Sequence, residues 1–210
     1  MTDQELMQKI HDVAGAILVG AADKTSVPEA FLAALVANET GKEFAEGGLV
    51  AAAQAKRFEP GVLADLWQVL MGRKMAYGSI GRTDLLRYVT GLPAIPINVP
   101  VNIPSNALNL LDGLATSWGI TQIMGYHAME AALFAQPAYA NRLLDPETDL
   151  DVTTKMLAQF AAHFSLDLAK DFADLFRCWN TGSPSGKTFD PNYVPNGLKR
   201  MQLYDAVAAT

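Results

Sequence analysis

Apolar residues recur at helical spacing along most of this chain, and strand-like alternation is scarce. Leu6, Ile10, Val13, Ile17 and Leu18 mark a helix over residues 4 to 20. A polar turn, A-D-K-T-S, separates it from a second helix over 27 to 41, marked by Val27, Phe31, Leu32, Leu35 and Val36. Its signals are complete: Ser26 is an N-cap residue, Glu29 completes a capping-box pattern, Pro28 suits the first turn, and Gly41 can close the helix in a left-handed conformation. Glu39 lies three residues beyond Val36 and four beyond Leu35, which puts a carboxylate on the apolar face of the last turn.

Further along, residues 47 to 61 are bounded by glycine and proline and predict irregular structure with strand character near Arg57-Phe58-Glu59. A helix is expected over 62 to 71, and a short one capped by Asp84 through Val89. The stretch G-L-P-A-I-P-I-N-V-P-V-N-I-P, residues 91 to 104, has a proline every three to four residues. That spacing forbids a helix, and the interspersed Ile and Val predict an extended loop that packs down on the protein. Ser105 starts a helix through Leu114, residues 120 to 135 are helical in part, and 149 to 179 give two helical patterns broken near Ser165. A segment rich in Gly, Pro, Asn and Ser, 180 to 198, precedes a last helix from about Leu198. The expected architecture is mainly α: a single irregular helical domain over 1 to 210 with little strand.

Composition narrows the function classes. With 210 residues, 50% hydrophobic and 18% charged, the chain can bury one sizeable core. The formal charge is −6 and Lys and Arg are scattered, so electrostatic capture of nucleic acid or of an anionic membrane has no support. Cys178 is the single cysteine, which excludes an intrachain disulfide and reads as a structural buried thiol. The three histidines are well separated, so no zinc-ligand spacing exists, and His127 and His163 read as capped or core residues; no metal or cofactor is expected. The opening M-T-D-Q-E-L does not resemble a signal peptide, and no apolar run approaches the roughly 18 residues of a membrane span. The segment T-G-S-P-S-G-K-T, 181 to 188, has one residue too few between its glycines for a phosphate loop.

What remains is carboxylate chemistry. At the end of a helix and among apolar neighbours, Glu39 meets two effects that disfavour its charged form, and a raised pKa is what a general acid needs. The alternative is a boundary glutamate whose head reaches water past Leu35. Glu59, after the aromatic Phe58, is the candidate second carboxylate, the alternative being a solvated turn glutamate before Pro60. Glu43, Glu46 and Glu147 are weaker candidates. Trp118, Tyr126, Trp179 and Tyr193 have rings that can stack on a flat ligand face, and Gln122 and Asn180 have amides that can donate and accept hydrogen bonds, although each aromatic also suits a core.

Four stretches matter together: A-N-E-T-G at 37 to 41, K-R-F-E-P-G at 56 to 61, A-T-S-W-G-I-T-Q-I-M-G-Y-H at 115 to 127, and F-R-C-W-N-T-G at 176 to 182. Their order and spacing resemble the lysozyme-like superfamily, in particular goose-type lysozymes, lytic transglycosylases and phage-type N-acetylmuramidases. The resemblance covers about residues 27 to 204. It implies an α+β lysozyme-like fold in which Glu39, in its E-T-G context, is the catalytic acid. Gly119, Gln122, Ile123 and Met124 match a cleft-lining G-x-x-Q-I-M segment, with Ser117 and Trp118 ahead of it as in the muramidases. Trp179-Asn180-Thr181-Gly182 matches the Y-N-x-G turn, with tryptophan in place of tyrosine, and D-P-E-T-D-L-D at 145 to 151 is similar to the D-P-x-x-N-I before the next helix. Residues 72 to 114 match nothing in that family.

The implied activity is cleavage of the N-acetylmuramic acid to N-acetylglucosamine linkage of peptidoglycan, by hydrolysis or transglycosylation, at a periplasmic or extracellular site. The alternatives are a chitin- or chitosan-directed hydrolase of the same superfamily and a non-catalytic glycan-binding or structural module. Residues 117 to 126 are expected to form one wall of a cleft facing Glu39, with Gly119 and Gly125 letting backbone approach the glycan. The turn at 180 to 182 is expected to form part of the other wall.

Overall fold

The computed structural model describes residues 1–92, 94–95, 101–130 and 137–209. From the N-terminus run α1 (Asp3–Ala22), α2 (Glu29–Ala53), β1 (Lys56–Phe58), α3 (Pro60–Leu70), β2 (Ala76–Tyr77), β3 (Ile80–Gly81), α4 (Arg82–Thr90) and α5 (Ala107–Leu114). Then follow β4 (Thr116–Trp118), β5 (Ile123–Met124), α6 (Gly125–Glu130), a 3-10 segment (Pro137–Leu144), α7 (Pro146–Phe164), α8 (Phe172–Thr181) and α9 (Tyr193–Ala208). The protein is mainly helical with little strand. Among the described residues no helix is long and apolar enough to cross a membrane.

The chain divides into two compact units, each with its own apolar cluster. Unit 1 comprises residues 1–55, 119–121 and 144–210, and unit 2 comprises 56–118 and 122–143.

Unit 1 is built around α2. Every residue from Phe31 to Ala37 is buried, so this stretch of the helix is apolar on all sides and not amphipathic as the Leu35–Val36 spacing suggests, whereas Lys42, Glu46 and Val50 further along are exposed. Ala33, Ala34 and Ala37 leave room for neighbouring backbones, and α1, α7 and α9 all pack against α2. The capping differs from expectation. Pro28 takes the N-cap position, no side chain caps the start, and the helix runs twelve residues past Gly41. Helical dihedrals fail inside it at Thr40 (φ −131°, ψ 22°) and at Gly48 (φ 68°). Gly41 is not the left-handed terminator; a Cβ there would lie 3.0 Å from Leu6 Cδ2, so its role is to admit α1. On α1 the buried positions are Leu6, Met7, Ile10, Ala14, Leu18 and Ala21, whereas Val13 is exposed.

The C-terminal helices of unit 1 keep their sequence signals. Asp145 caps α7 by accepting the Thr148 N–H at 3.0 Å, and Ser165 closes that helix in the left-handed region (φ 58°). Gly182 does the same for α8, and α9 starts at Tyr193, five residues before the expected Leu198.

Unit 2 holds a three-stranded antiparallel sheet of order β1-β4-β5, with Lys56 opposite Trp118, Phe58 opposite Thr116 and Ser117 opposite Met124. A two-residue pairing of β2 with β3 makes a separate hairpin. Leu66, Leu70, Leu85, Leu86, Leu111 and Leu114 fill its core. Asp84 caps α4 from the third helical position, accepting the Gly81 N–H at 2.9 Å. Part of the proline-spaced stretch lies outside the described residues; within them, Ile95, Val101 and Ile103 pack against the unit 2 core, as its apolar content predicts.

Candidate functional site

Glu39 is half-buried and sits one residue before the break at Thr40. That break has a local cause. The Thr40 hydroxyl donates to Ile120 O at 2.7 Å, with Val36 O at 3.3 Å, so this side chain is drawn to a carbonyl outside the helix. The carboxylate of Glu39 accepts a short hydrogen bond from the Tyr193 hydroxyl at the start of α9. The Asn38 amide donates to Tyr193 O at 3.0 Å, so adjacent residues of α2 grip both ends of one tyrosine. Tyr193 is itself buried, edge-on to Phe176 at 6.3 Å between ring centres. Tyr193 thus meets Glu39 through its hydroxyl while its ring belongs to the unit 1 core. Helical dihedrals break off at Thr40, one residue after Glu39, so Glu39 stands in the last turn of the first helical segment, and a further segment continues to Ala53.

Residues 119 to 121 are held by unit 1 through consecutive contacts. The Gly119 N–H donates to Ala55 O at 3.1 Å, Ile120 O accepts from Thr40, and Thr121 O accepts from the Trp179 indole at 3.2 Å. Behind them, the Thr121 hydroxyl donates to Asp149 Oδ1 at 2.6 Å and lies 2.7 Å from the Thr153 hydroxyl. Asp149 is fully buried, and among the described residues its Oδ2 has no hydrogen-bond partner. Burial pushes its carboxyl well above the ordinary carboxylate range, the charge of Asp145 adds to that, and the Thr121 and Thr153 hydrogen bonds oppose it. Nothing in the apolar periodicity singles Asp149 out; its place one helical turn before Thr153, inside a run of buried residues, is the available signal.

Other unit 1 candidates divide. Trp179 is half-buried and its indole is engaged with Thr121, while Asn180 is exposed at the end of α8. Cys178 is fully buried, and burial helped by the Asp174 charge pushes its thiol up to about 11, which leaves it protonated.

In unit 2, Glu59 follows β1 directly. Its N–H donates to Ala115 O at 2.9 Å, and its carboxylate pairs with Arg57 Nε at 2.8 Å on the surface. Ser117 is fully buried, its hydroxyl lying 3.2 Å from both Arg57 O and Gln122 Oε1. Trp118 is also buried, with its indole donating to Gly113 O at 2.9 Å and Lys56 Nζ 4.6 Å over its ring. Neither offers a sugar a face in this conformation, so the expected direct contacts of Ser117 and Trp118 become sheet-internal ones.

Gln122 is half-buried and adopts the left-handed region (φ 56°), unusual for a residue with a Cβ and a mark of a constrained position. Tyr126 is half-buried, edge-on to Tyr77 at 5.2 Å. The glycine expectation is half replaced: Gly119 takes φ 76°, but a Cβ on Gly125 would lie 2.1 Å from Gly113 O, so Gly125 serves the protein's own packing. Among the described residues no group of three His, Cys, Asp or Glu side chains lies together as a metal site would require. No protein-family model, curated protein or solved structure matches the chain.

Proposed function

We propose that the protein cleaves the glycan strands of peptidoglycan with Glu39 as general acid. The observation that carries this reading is the half-buried carboxylate of Glu39, placed at a break in α2 directly after its fully buried stretch and oriented by the Tyr193 hydroxyl. A glycosidic leaving oxygen must gain a proton as its bond to the anomeric carbon breaks, and a carboxylic acid held in one orientation can supply it.

Glu59 is the candidate to activate water, but it carries an Arg57 counter-ion and lies at the surface. Attack on the anomeric carbon by the muramoyl 6-hydroxyl of the substrate needs no second carboxylate, and it leaves a 1,6-anhydro end. Charge distribution also bears on the partner. Unit 1 holds nine Lys and Arg against seventeen Asp and Glu, whereas unit 2 holds seven against five. The net negative charge thus belongs to unit 1, and a wall polymer rich in carboxylates would be met by the mildly basic unit 2.

The test is turbidity clearing of purified cell walls with mass analysis of the released muropeptides, for the parent and Glu39→Gln. Glu39→Gln is expected to lose lysis by at least about a hundredfold with the same melting temperature within a few degrees. Lysis within a few-fold of the parent would remove Glu39 from the reaction. Absence of any released muropeptide from the parent would favour a non-catalytic glycan-binding module.

A further inference from the structure

Resting on the reading of Glu39 as the acid, we propose that Arg200 is a positioning residue that sets the Glu39–Tyr193 pair through Asn38. Arg200 lies on α9, two helical turns after Tyr193, and its side chain is 17% exposed. Its guanidinium reaches two places. Nε and Nη2 hold Asp3 Oδ1 at 3.1 and 3.0 Å, and Nη1 donates to Ala37 O at 3.1 Å and to Asn38 Oδ1 at 2.8 Å.

The second set of bonds is what an ion pair alone does not explain. Arginine has donors and no acceptor, so its contact with Asn38 fixes the amide with Oδ1 towards Arg200 and Nδ2 away from it. Nδ2 is then presented to Tyr193 O. Tyr193 in turn gives its hydroxyl to Glu39, the residue after Asn38. The contacts close a ring: Arg200 to Asn38, Asn38 to Tyr193, and Tyr193 to Glu39, with α9 carrying two of its members and α2 the other two. Asp3 balances the guanidinium charge; Lys199 and Arg200 beside its carboxylate hold it below the ordinary carboxylate range. Arg200 therefore acts on Glu39 through orientation, at one remove.

The assay compares maximal muropeptide release and half-saturating wall concentration for the parent, Arg200→Met, Arg200→Lys and Tyr204→Phe. Tyr204 also lies on α9 and gives its hydroxyl to Glu29, so Tyr204→Phe is a control that loses an equivalent bond away from Glu39. Arg200→Met is expected to lower the maximal rate about tenfold or more with half-saturation within about twofold, because misorientation of an acid is felt in the chemical step. Arg200→Lys, keeping one donor, should recover part of that loss, and Tyr204→Phe should lower the melting temperature without moving the rate. Equal rates in Arg200→Met and Tyr204→Phe would overturn the proposal.

A second measurement stands apart from activity. In protein carrying 13C-labelled glutamate carboxyls, the Glu39 resonance is identified by its loss in Glu39→Gln. In Arg200→Met it should take on the pH titration seen in Tyr193→Phe; a titration like the parent's would overturn the positioning role even if the chain proved to cleave no glycan. Should Arg200→Met fail to fold, Arg200→Lys and Asn38→Ala carry both readouts, with the same expected and overturning results.

Discussion

Replacing Asp149 by asparagine isolates one buried proton. In the folded protein the Asp149 carboxyl is fully buried, with Oδ1 bonded to Thr121 and, among the described residues, Oδ2 without a hydrogen-bond partner, and burial raises its pKa well above 3.8. In the unfolded chain the same group ionises near the ordinary value. Between these two pKa values the folded state keeps a proton that the unfolded state has released, so stability is fully present at low pH and falls as pH rises. One proton gives a limiting slope of about 1.4 kcal/mol per pH unit over the interval between the two pKa values. Asparagine keeps an oxygen for Thr121 and cannot ionise. Because the neutral acid already has a hydroxyl without an acceptor, the exchange should cost under about 1 kcal/mol at pH 4. Urea unfolding followed by tryptophan fluorescence, at half-unit steps from pH 4 to 7, gives the difference in stability between Asp149→Asn and the parent. That difference should grow in favour of the variant as pH rises from 4, because the folded parent retains a proton that its unfolded chain has released. Other titrating groups are common to both proteins and cancel. A pH-independent difference would mean that Asp149 is ionised when folded, and the assignment of a buried neutral acid behind residues 119 to 121 would be withdrawn.

Tyr193→Phe should lower the maximal rate of wall cleavage about tenfold and destabilise by about 1 kcal/mol, since it removes the donor to Glu39; an unchanged rate would separate Tyr193 from the proposed reaction. Glu59→Gln loses its Arg57 partner at an exposed site, worth under about 1 kcal/mol. If release of 1,6-anhydro muropeptides then continues within about threefold of the parent, Glu59 has no role in the chemistry; loss of reducing-end products would assign it the water. Gly125→Ala places a methyl 2.1 Å from Gly113 O and should destabilise by about 1–3 kcal/mol, measured by urea unfolding, with a neutral result showing that α6 can move away from α5.

The helical elements were legible because their signals are local. Asp145 before a Pro-led apolar run, Ser165 between two periodic stretches and Gly182 after α8 are boundaries written in one or two residues. The strand at Lys56–Phe58 was legible for the same reason, being bounded by breakers. What escaped is whatever depends on distant partners. The helix after Gly41 continues because α1 closes on that glycine, a fact about Leu6 and not about residues near 41. Ser117 and Trp118 looked like cleft residues because their neighbours suggest a turn, yet cross-strand pairing with Arg57 and Lys56 buries them. Glu39 was singled out by its type and its apolar neighbours, whereas Asn38 and Thr40 beside it, and Arg200 bonded to Asn38, have no pattern of their own.

The position of Glu39 follows from this division. An isolated helix of sequence E-A-F-L-A-A-L-V-A-N-E-T-G has no reason to distort at Thr40, since threonine is tolerated in helices at a cost of only tenths of a kcal/mol. The distortion exists because Ile120 O is offered to the Thr40 hydroxyl, and Ile120 is held there by its neighbours' bonds to Ala55, Trp179 and Asp149. On the other side, Ala37 and Asn38 are held by Arg200 and Tyr193 from α9. Four consecutive residues of α2 are thus fixed from two sequence-distant sources at once. Loss of either should leave the helix formed and the carboxylate misdirected, so substitutions at Thr121 or Asn38 should impair the chemistry more than the melting temperature, whereas those at Leu32 or Leu35 should do the reverse.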